Sequence, residues 1–171
     1  MTGGPVTATF SNVTQYLVRH AKAGQRSEWR DDDAVRPLSK SGRRQADAVA
    51  DRLANQVAGP LLSSPFLRCR QTLEPLARRI GLEVMDDVRL SEGQPFEPAL
   101  ELLESAPDGS VLCVHGDLLP ELIGALVRRG AVLATAPDWR KAVVWELADT
   151  DDPDRTRATR IGMLRAVPPP D

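Results

Sequence analysis

Residues 15–24 read QYLVRHAKAG, an apolar run that stops at Arg19 and His20. The whole chain holds only 2 histidines, so the position of this one is informative. In α/β domains, ligands bind beyond the carboxyl ends of the strands. The segment therefore predicts a buried strand from Val13 to Val18 and places His20 at the edge of the sheet where a functional site is expected.

Beyond this strand, apolar residues recur at helical spacing in two segments. Ser39 is expected to cap the first helix. Its apolar face is predicted to contain Ala46, Val49, Ala50, Leu53, Ala54 and Val57. The second helix is predicted around Cys69, Leu73, Leu76, Ala77 and Ile80. Pro75 lies inside it, which predicts a kink or a helix that begins near Thr72.

The rest of the chain continues to alternate between strand and helix. Two further helices are predicted at 95–105 and at 118–129, the second capped by Asp117. Strands are predicted in GPLLSSP (59–65), LEVM (82–85), SVLCVH (110–115), KAVVWEL (141–147) and RIGMLRAV (160–167), with the last two antiparallel to each other. This order predicts an α/β fold of three layers, in which a mainly parallel sheet carries helices on both faces.

The chain has 171 residues, of which 42% are hydrophobic, so one domain with one core is expected. The expected divisions are an N-terminal extension at 1–12, a domain at 13–167 and a loose tail at 168–171. A net charge of -2 disfavours binding to nucleic acid. No apolar run approaches the ~20 residues that span a bilayer, and no signal-peptide pattern opens the chain, so no membrane partner and a cytoplasmic location are expected. Cys69 and Cys113 are expected to be buried and reduced.

Polar residues collect where the predicted strands end. Arg19 and His20 follow the first strand, two serines and then Arg68 follow the second, and His115 ends SVLCVH. Two guanidinium groups suit the oxygens of a phosphoryl group, and a neutral imidazole is a good nucleophile near neutral pH. The set predicts phosphoryl transfer through one histidine, with arginines supplying the positive charge and no metal or other cofactor required.

Four segments, LVRHAKAG, SSPFLRCRQT, RLSEG and CVHGD, together resemble the signature of the histidine phosphatase superfamily, which includes the cofactor-dependent phosphoglycerate mutases. The resemblance implies a phosphoglycerate mutase-like fold for most of the chain. It also implies that His20 is the nucleophile that becomes phosphohistidine. Arg19 and Arg68 would then hold the phosphoryl oxygens, and His115 would complete the pocket.

Three further residues are weaker candidates. Glu92, in RLSEG, matches the acid that protonates the leaving group in mutase-like members, and its alternative is a solvated surface glutamate. Lys22 and Arg26, in the charged loop at 22–37, are candidates for substrate binding or ordinary surface residues. The adjacent run Asp31–Asp33 is interpreted as a solvated loop rather than a metal site.

Within the superfamily the chain departs from the mutases, which carry His-Gly-Glu after the first arginine where this sequence has HAK, and which are longer. The compact chain is more similar to SixA-type phosphohistidine phosphatases, although that group commonly lacks the glutamate acid. Residues 19–46 also resemble the phosphatase domain fused to Nudix domains in actinobacterial proteins. The expected function is a metal-independent phosphatase whose partner is a phosphorylated substrate. We rank phosphohistidine protein first as the substrate, and nucleotides or other small phosphate compounds second. Phosphoglycerate mutase activity ranks third. The alternative from another functional class is a phosphate-binding module without catalytic activity.

Overall fold

The computed structural model describes residues 12–170, which form one mixed sheet and flanking helices. Its seven strands are β1 (Val13–Arg19), β2 (Leu61–Ser63), β3 (Val84–Asp86), β4 (Ser110–Val114), β5 (Val132–Leu133), β6 (Val144–Asp149) and β7 (Ile161–Val167). Its four α-helices are α1 (Lys40–Leu53), α2 (Leu67–Ile80), α3 (Phe96–Ser105) and α4 (Leu118–Arg128). The predicted N-terminal extension lies outside the described residues except for Asn12, as does Asp171.

The strand order is β3-β2-β4-β1-β6-β7-β5. Neighbouring strands from β3 to β1 are parallel, β6 runs antiparallel to both β1 and β7, and β5 pairs parallel with β7. The mainly parallel sheet is therefore confirmed, as is the antiparallel pairing of β6 with β7. The short strand β5 was not predicted, because its two exposed residues carry no periodicity that a sequence could display.

Alternation along the central strands separates two hydrophobic cores, one on each face of the sheet. In β1, Leu17 belongs to the core that includes α3 and α4, whereas Tyr16 and Val18 belong to the core that includes α1 and α2. Helices thus cover both faces, which confirms the three-layer prediction. Cys69 and Cys113 are buried free thiols in the core beneath α1 and α2, as expected.

The helix boundaries confirm one prediction and correct two. The hydroxyl of Ser39 accepts a hydrogen bond from the backbone N–H of Gly42 at 3.1 Å and caps α1 as predicted. The helix ends at Leu53, so Val57 lies beyond it and not on its apolar face. In the second helix, α2 begins at Leu67 and continues through Pro75, so the alternative start near Thr72 is wrong.

The loop between β1 and α1 is closed at its base, which we call the neck. There the backbone N–H of Ser39 donates to the carbonyl of Lys22 at 2.9 Å, and that of Gly24 donates to the carbonyl of Pro37 at 3.3 Å. Gly42, in the first turn of α1, packs so closely on the Lys22 carbonyl that a Cβ atom would overlap it. The neck therefore joins the end of β1 to the start of α1. Within the described part of the chain, no helix is both long and apolar enough to cross a membrane.

Candidate active site

The two histidines lie side by side because β1 and β4 are neighbouring parallel strands. Arg19 pairs with Val114 in the ladder, so the next residue of each strand emerges at the same carboxyl edge. The backbone N–H of His20 donates to the Val114 carbonyl at 3.0 Å. The rings of His20 and His115 are 5.3 Å apart, centroid to centroid, in an edge-to-face arrangement. The structure therefore brings together the two strand ends that the sequence singled out.

The ring of His20 is buried and tied to its own backbone. Its Nδ1 lies 2.8 Å from the carbonyl oxygen of Ala21. Because a carbonyl only accepts, Nδ1 carries the proton and Nε2 keeps a lone pair. Burial lowers the pKa of His20 to about 3; the Ala21 hydrogen bond opposes this, and the charges of His115, Arg68 and Arg19 add to it. The imidazole is consequently neutral near pH 7, as nucleophilic attack requires.

His115 is held by residues of the β2–α2 connection and the first turn of α2. Its Nε2 lies 2.8 Å from the hydroxyl of Ser64, and its ring contacts Phe66 edge-to-face at 4.9 Å. Nδ1 of His115 faces Nη2 of Arg68 at 3.5 Å, at the limit of a hydrogen bond. The serines after β2 had no assigned role in the sequence interpretation. The structure shows that Ser64 orients His115.

Arg68 is fully buried in the first turn of α2 and carries two acidic partners. Its Nη2 lies 3.0 Å from a carboxylate oxygen of Asp33 and 3.3 Å from one of Glu92, and its Nη1 donates to the Asp33 carbonyl at 2.9 Å. A buried guanidinium requires such partners. Its Nε is buried without a hydrogen-bond partner among the described residues.

Asp33 belongs to the site, which corrects its interpretation as part of a solvated loop. Its carboxylate accepts from Arg36 at 2.8 Å and contacts Arg26 and Arg68. Burial alone would raise the pKa of Asp33, but the hydrogen bond from Arg36 and the charges of Arg68, Arg36 and Arg26 lower it overall. Asp33 therefore remains an anion that connects the loop to α2. The run Asp31–Asp33 is visible in the sequence. Its contact with Arg68 is not, because Arg68 lies 35 residues further along the chain.

Glu92 lines the cavity rather than the open surface. Both its carboxylate oxygens accept from Nη2 of Arg26, at 2.8 and 2.9 Å. The next residue, Gly93, donates its backbone N–H to the Asp117 carboxylate at 2.8 Å. Asp117 stands at the N-cap position of α4 but its side chain forms no cap hydrogen bond, so the predicted capping is wrong. Its carboxylate holds the Glu92 loop instead.

Arg19 extends from the end of β1 across Gly116. Its Nη1 donates to the backbone carbonyl of Trp139, in the loop before β6. Burial lowers the pKa of Arg19, and the charge of Asp117 partly opposes that shift. The glycine after His115 thus has a physical role, because the Arg19 guanidinium occupies the space where a side chain would stand.

These residues surround a cavity of about 360 Å³, within the size range of small-molecule sites. The seven predicted site residues are all at the site: Arg19, His20, Lys22, Arg26, Arg68 and Glu92 line the cavity, and His115 lies behind His20. The lining also includes Arg36, a charge of the 22–37 loop, Asp117, which was expected to cap α4, and Lys141, to which no role was assigned from the sequence. Six of the lining side chains are basic, so the cavity suits an anion. Among residues 12–170, no group of three or more His, Cys, Asp or Glu side chains is arranged to hold a metal ion.

Residues 15–95 match the family model of the histidine phosphatase superfamily, branch 1. This stretch contains the nucleophile candidate, the neck, the Arg68 helix and Glu92. The chain belongs to the histidine phosphatase superfamily. The matched range ends before His115, which the fold places beside His20.

Two relatives illustrate how this histidine phosphatase domain compares with known proteins. An 8-oxo-(d)GTP phosphatase of Mycolicibacterium smegmatis is 35% identical over 144 residues, which cover 81% of this chain and 45% of the relative. A Yersinia pestis protein named probable phosphoglycerate mutase GpmB is 38% identical over 81 residues, or 45% of this chain and 36% of the relative. The chain thus spans less than half the length of these relatives.

The structure of the protein histidine phosphatase SixA in complex with tungstate has the same fold. It superimposes with a TM-score of 0.64 at 21% sequence identity, and the match covers 79% of this chain and 87% of SixA. At this identity the likeness concerns the fold, and it confirms the phosphoglycerate mutase-like α/β class.

Proposed function

We propose that the chain is a metal-independent phosphatase that transfers a phosphoryl group first to His20 and then to water. The observation that carries the proposal is the state of His20. Its Nδ1 proton is bonded to the Ala21 carbonyl, its Nε2 has no hydrogen-bond partner among the described residues, and its pKa of about 3 keeps the ring neutral. A neutral imidazole beside two arginines suits attack on a phosphorus atom whose oxygens are held by positive charge.

The proposed reaction has two steps. In the first, Nε2 of His20 forms a bond to phosphorus while the bond from phosphorus to the leaving-group oxygen breaks, and the electron pair stays with that oxygen. In the second, a water oxygen attacks the phosphorus, the N–P bond breaks, and inorganic phosphate leaves with neutral His20 restored. Arg19 and Arg68 hold the phosphoryl oxygens in both steps, and His115 and Ser64 support the same wall of the cavity.

Glu92 is the proposed proton donor to the leaving group. It lines the cavity together with His20, and its carboxylate contacts both Arg26 and Arg68. A phosphoryl group bound by Arg68 competes with Glu92 for that guanidinium. Arg26 and Lys22 are proposed to contact the part of the substrate that leaves.

A small phosphorylated molecule of the nucleotide type is the substrate that we propose. The 35% identity to an 8-oxo-(d)GTP phosphatase extends over 144 residues, whereas the 21% identity to SixA supports the fold alone. An acid at Glu92 also favours an oxygen leaving group over the nitrogen of phosphohistidine, which accepts a proton without help from the enzyme. Phosphohistidine protein, which ranks first from the sequence, becomes the second candidate, supported by a structural match that covers 87% of SixA.

The decisive experiment is rapid quenching with a 32P-labelled nucleotide substrate. We expect acid-labile, base-stable label on the wild-type protein, none on His20→Ala, and the same amount in the presence of a chelator. A His115→Asn variant is the matched control, because it changes the other histidine and should still accept label at a reduced rate. Label that survives acid, or that persists in His20→Ala, would contradict the proposal, and absence of any turnover would favour a phosphate-binding module.

A further inference from the structure

Lys141 lines the cavity from the segment just before β6. It lines the same cavity as His20 and Lys22 and is two residues from Trp139, whose carbonyl accepts from Arg19. Its side chain is half-buried. Burial, and then the charges of Arg19, Arg36, Lys22 and Arg68, lower the pKa of Lys141.

Among the described residues, no carboxylate forms an ion pair with this cation. Within residues 12–170, the ion pairs are formed by arginines, and neither Lys22 nor Lys141 takes part in one. Like charges that lie together without a counter-ion oppose folding, and they occur where an anionic ligand supplies the missing charge.

The charge of the cavity exceeds what one phosphoryl group neutralises. Six basic side chains line it, against Glu92 and Asp117 in the lining and Asp33 behind it. Three positive charges remain. A bound phosphate monoester carries two negative charges near neutral pH, because its second pKa is about 6. After Arg19 and Arg68 are assigned to the transferred phosphoryl group, Lys22 and Lys141 are the cations without a partner.

We propose that Lys141, assisted by Lys22, binds a second phosphate group joined to the transferred one, and that the site therefore prefers phosphoanhydrides to simple phosphate esters. This inference rests on the proposed function and adds a specificity-determining residue to it. When the bond from the transferred phosphorus to the bridging oxygen breaks, the electron pair stays on the departing phosphate. The ammonium group of Lys141 then lies where that negative charge develops, which is the arrangement that lowers a transition state.

The test is a calorimetric comparison of two probes that the protein cannot hydrolyse: orthophosphate, and methylenediphosphonate as a stable diphosphate. We expect Lys141→Ala to weaken diphosphonate binding by about tenfold or more, the usual effect of losing one charge-assisted contact, and to change orthophosphate binding by less than about threefold. Lys141→Arg should retain most of the diphosphonate affinity. Lys40→Ala is the matched control, because Lys40 is an exposed lysine outside the cavity and should bind both probes like the wild type.

Equal losses for both probes in Lys141→Ala, or no loss for diphosphonate, would overturn the inference. The proposed function fails in a different way, with no orthophosphate binding and no label on His20. If Lys141→Ala unfolds at a lower temperature than the wild type, Lys141→Gln keeps most of the side-chain stem and repeats the comparison. Turnover of ADP relative to p-nitrophenyl phosphate should fall in parallel with diphosphonate affinity.

Discussion

Gly116 and Arg19 are in such close contact that a Cβ atom on residue 116 would lie 2.5 Å from Nη2 of Arg19. The guanidinium cannot stay where it is if any side chain is added, and its own anchor is the carbonyl of Trp139. The glycine that follows the second histidine therefore determines the position of an arginine that belongs to the first strand.

Replacing Gly116 by alanine should displace Arg19 and weaken its hold on the phosphoryl group. We expect kcat/KM for p-nitrophenyl phosphate to fall by about tenfold or more, because a misplaced donor loses much of its transition-state contribution. Gly124→Ala is the control, since only the flexible end of Arg128 lies nearby, and it should leave kcat/KM unchanged. Equal rates for the two variants would show that Arg19 finds another productive position.

Removing Arg68 should reduce turnover far more than removing Arg78. Arg68 is buried in the site, whereas Arg78 is exposed in the last turn of α2. Loss of the buried donor should cost about 3 kcal/mol of transition-state stabilisation, or roughly a hundredfold in kcat/KM. Circular dichroism of both variants checks that the fold survives, and similar small effects on kcat/KM would remove Arg68 from the proposed machinery.

Asp33→Asn should impair catalysis although Asp33 is not expected to touch the substrate. The neutral amide weakens the contacts with Arg26, Arg36 and Arg68, so Arg68 becomes less well positioned. We expect kcat/KM to fall by about five- to twentyfold. Asp31→Asn, in the same acidic run but without an ion pair among the described residues, should have little effect. The prediction is wrong if the two variants cannot be told apart.

Glu92→Gln should have effects that depend on the leaving group. An alkyl phosphate needs a proton on its departing oxygen, so its turnover should fall by roughly a hundredfold. p-Nitrophenyl phosphate needs none, so its turnover should fall much less. The ratio of the two losses is the measurement, taken on the first, phosphorylating step by rapid quench. The same loss on both esters would mean that Glu92 shapes the cavity without donating a proton.

Burial of neutral His20 predicts a specific dependence of stability on pH. In the unfolded chain His20 binds a proton below a pKa of about 6.5, whereas the folded chain does so only below about 3. Because the unfolded state holds more protons between these values, the free energy of unfolding should fall as the pH drops through this window, by about 1.4 kcal/mol per pH unit at most. Denaturant unfolding measures this effect: between pH 7 and pH 5, the free energy of unfolding should fall by about 2 kcal/mol less for His20→Asn than for the wild type. Identical losses would contradict a depressed pKa for His20.

The residues at strand ends could be predicted from sequence because parallel neighbouring strands bring their carboxyl ends to one edge. This applied to Arg19, His20 and His115, and to Arg68 one turn into the following helix. The helix ends were predictable where a local signal exists, as at Ser39. Asp117 shows the limit of local signals, because its carboxylate bonds to Gly93 from another loop instead of capping α4.

Asp33 and Lys141 could not be assigned from the sequence for a different physical reason. Asp33 lies in a single 3-10 turn of the loop after β1 and Lys141 lies in the segment before β6, and each is brought to the site beside a residue of another element, Arg68 and Arg19 respectively. Periodicity describes only regular elements, so it carries no information about which way such a loop folds. The placement of Glu92 in the site was implied by family resemblance, while its contacts with Arg26 and Arg68 required the structure.

The neck at the base of the β1–α1 loop makes residues 25–36 a segment that can be exchanged as a unit, provided that the replacement supplies Arg68 with an acidic partner in the place of Asp33. The hydrogen bonds between Lys22 and Ser39 and between Gly24 and Pro37 fix the two ends side by side, so a loop of different length or composition can begin and end on the same scaffold. His20 and the strand that carries it lie outside the exchanged piece. Grafting loops from related domains at this neck offers a route to redesign which phosphorylated compounds enter the cavity while the nucleophile and the sheet stay unaltered.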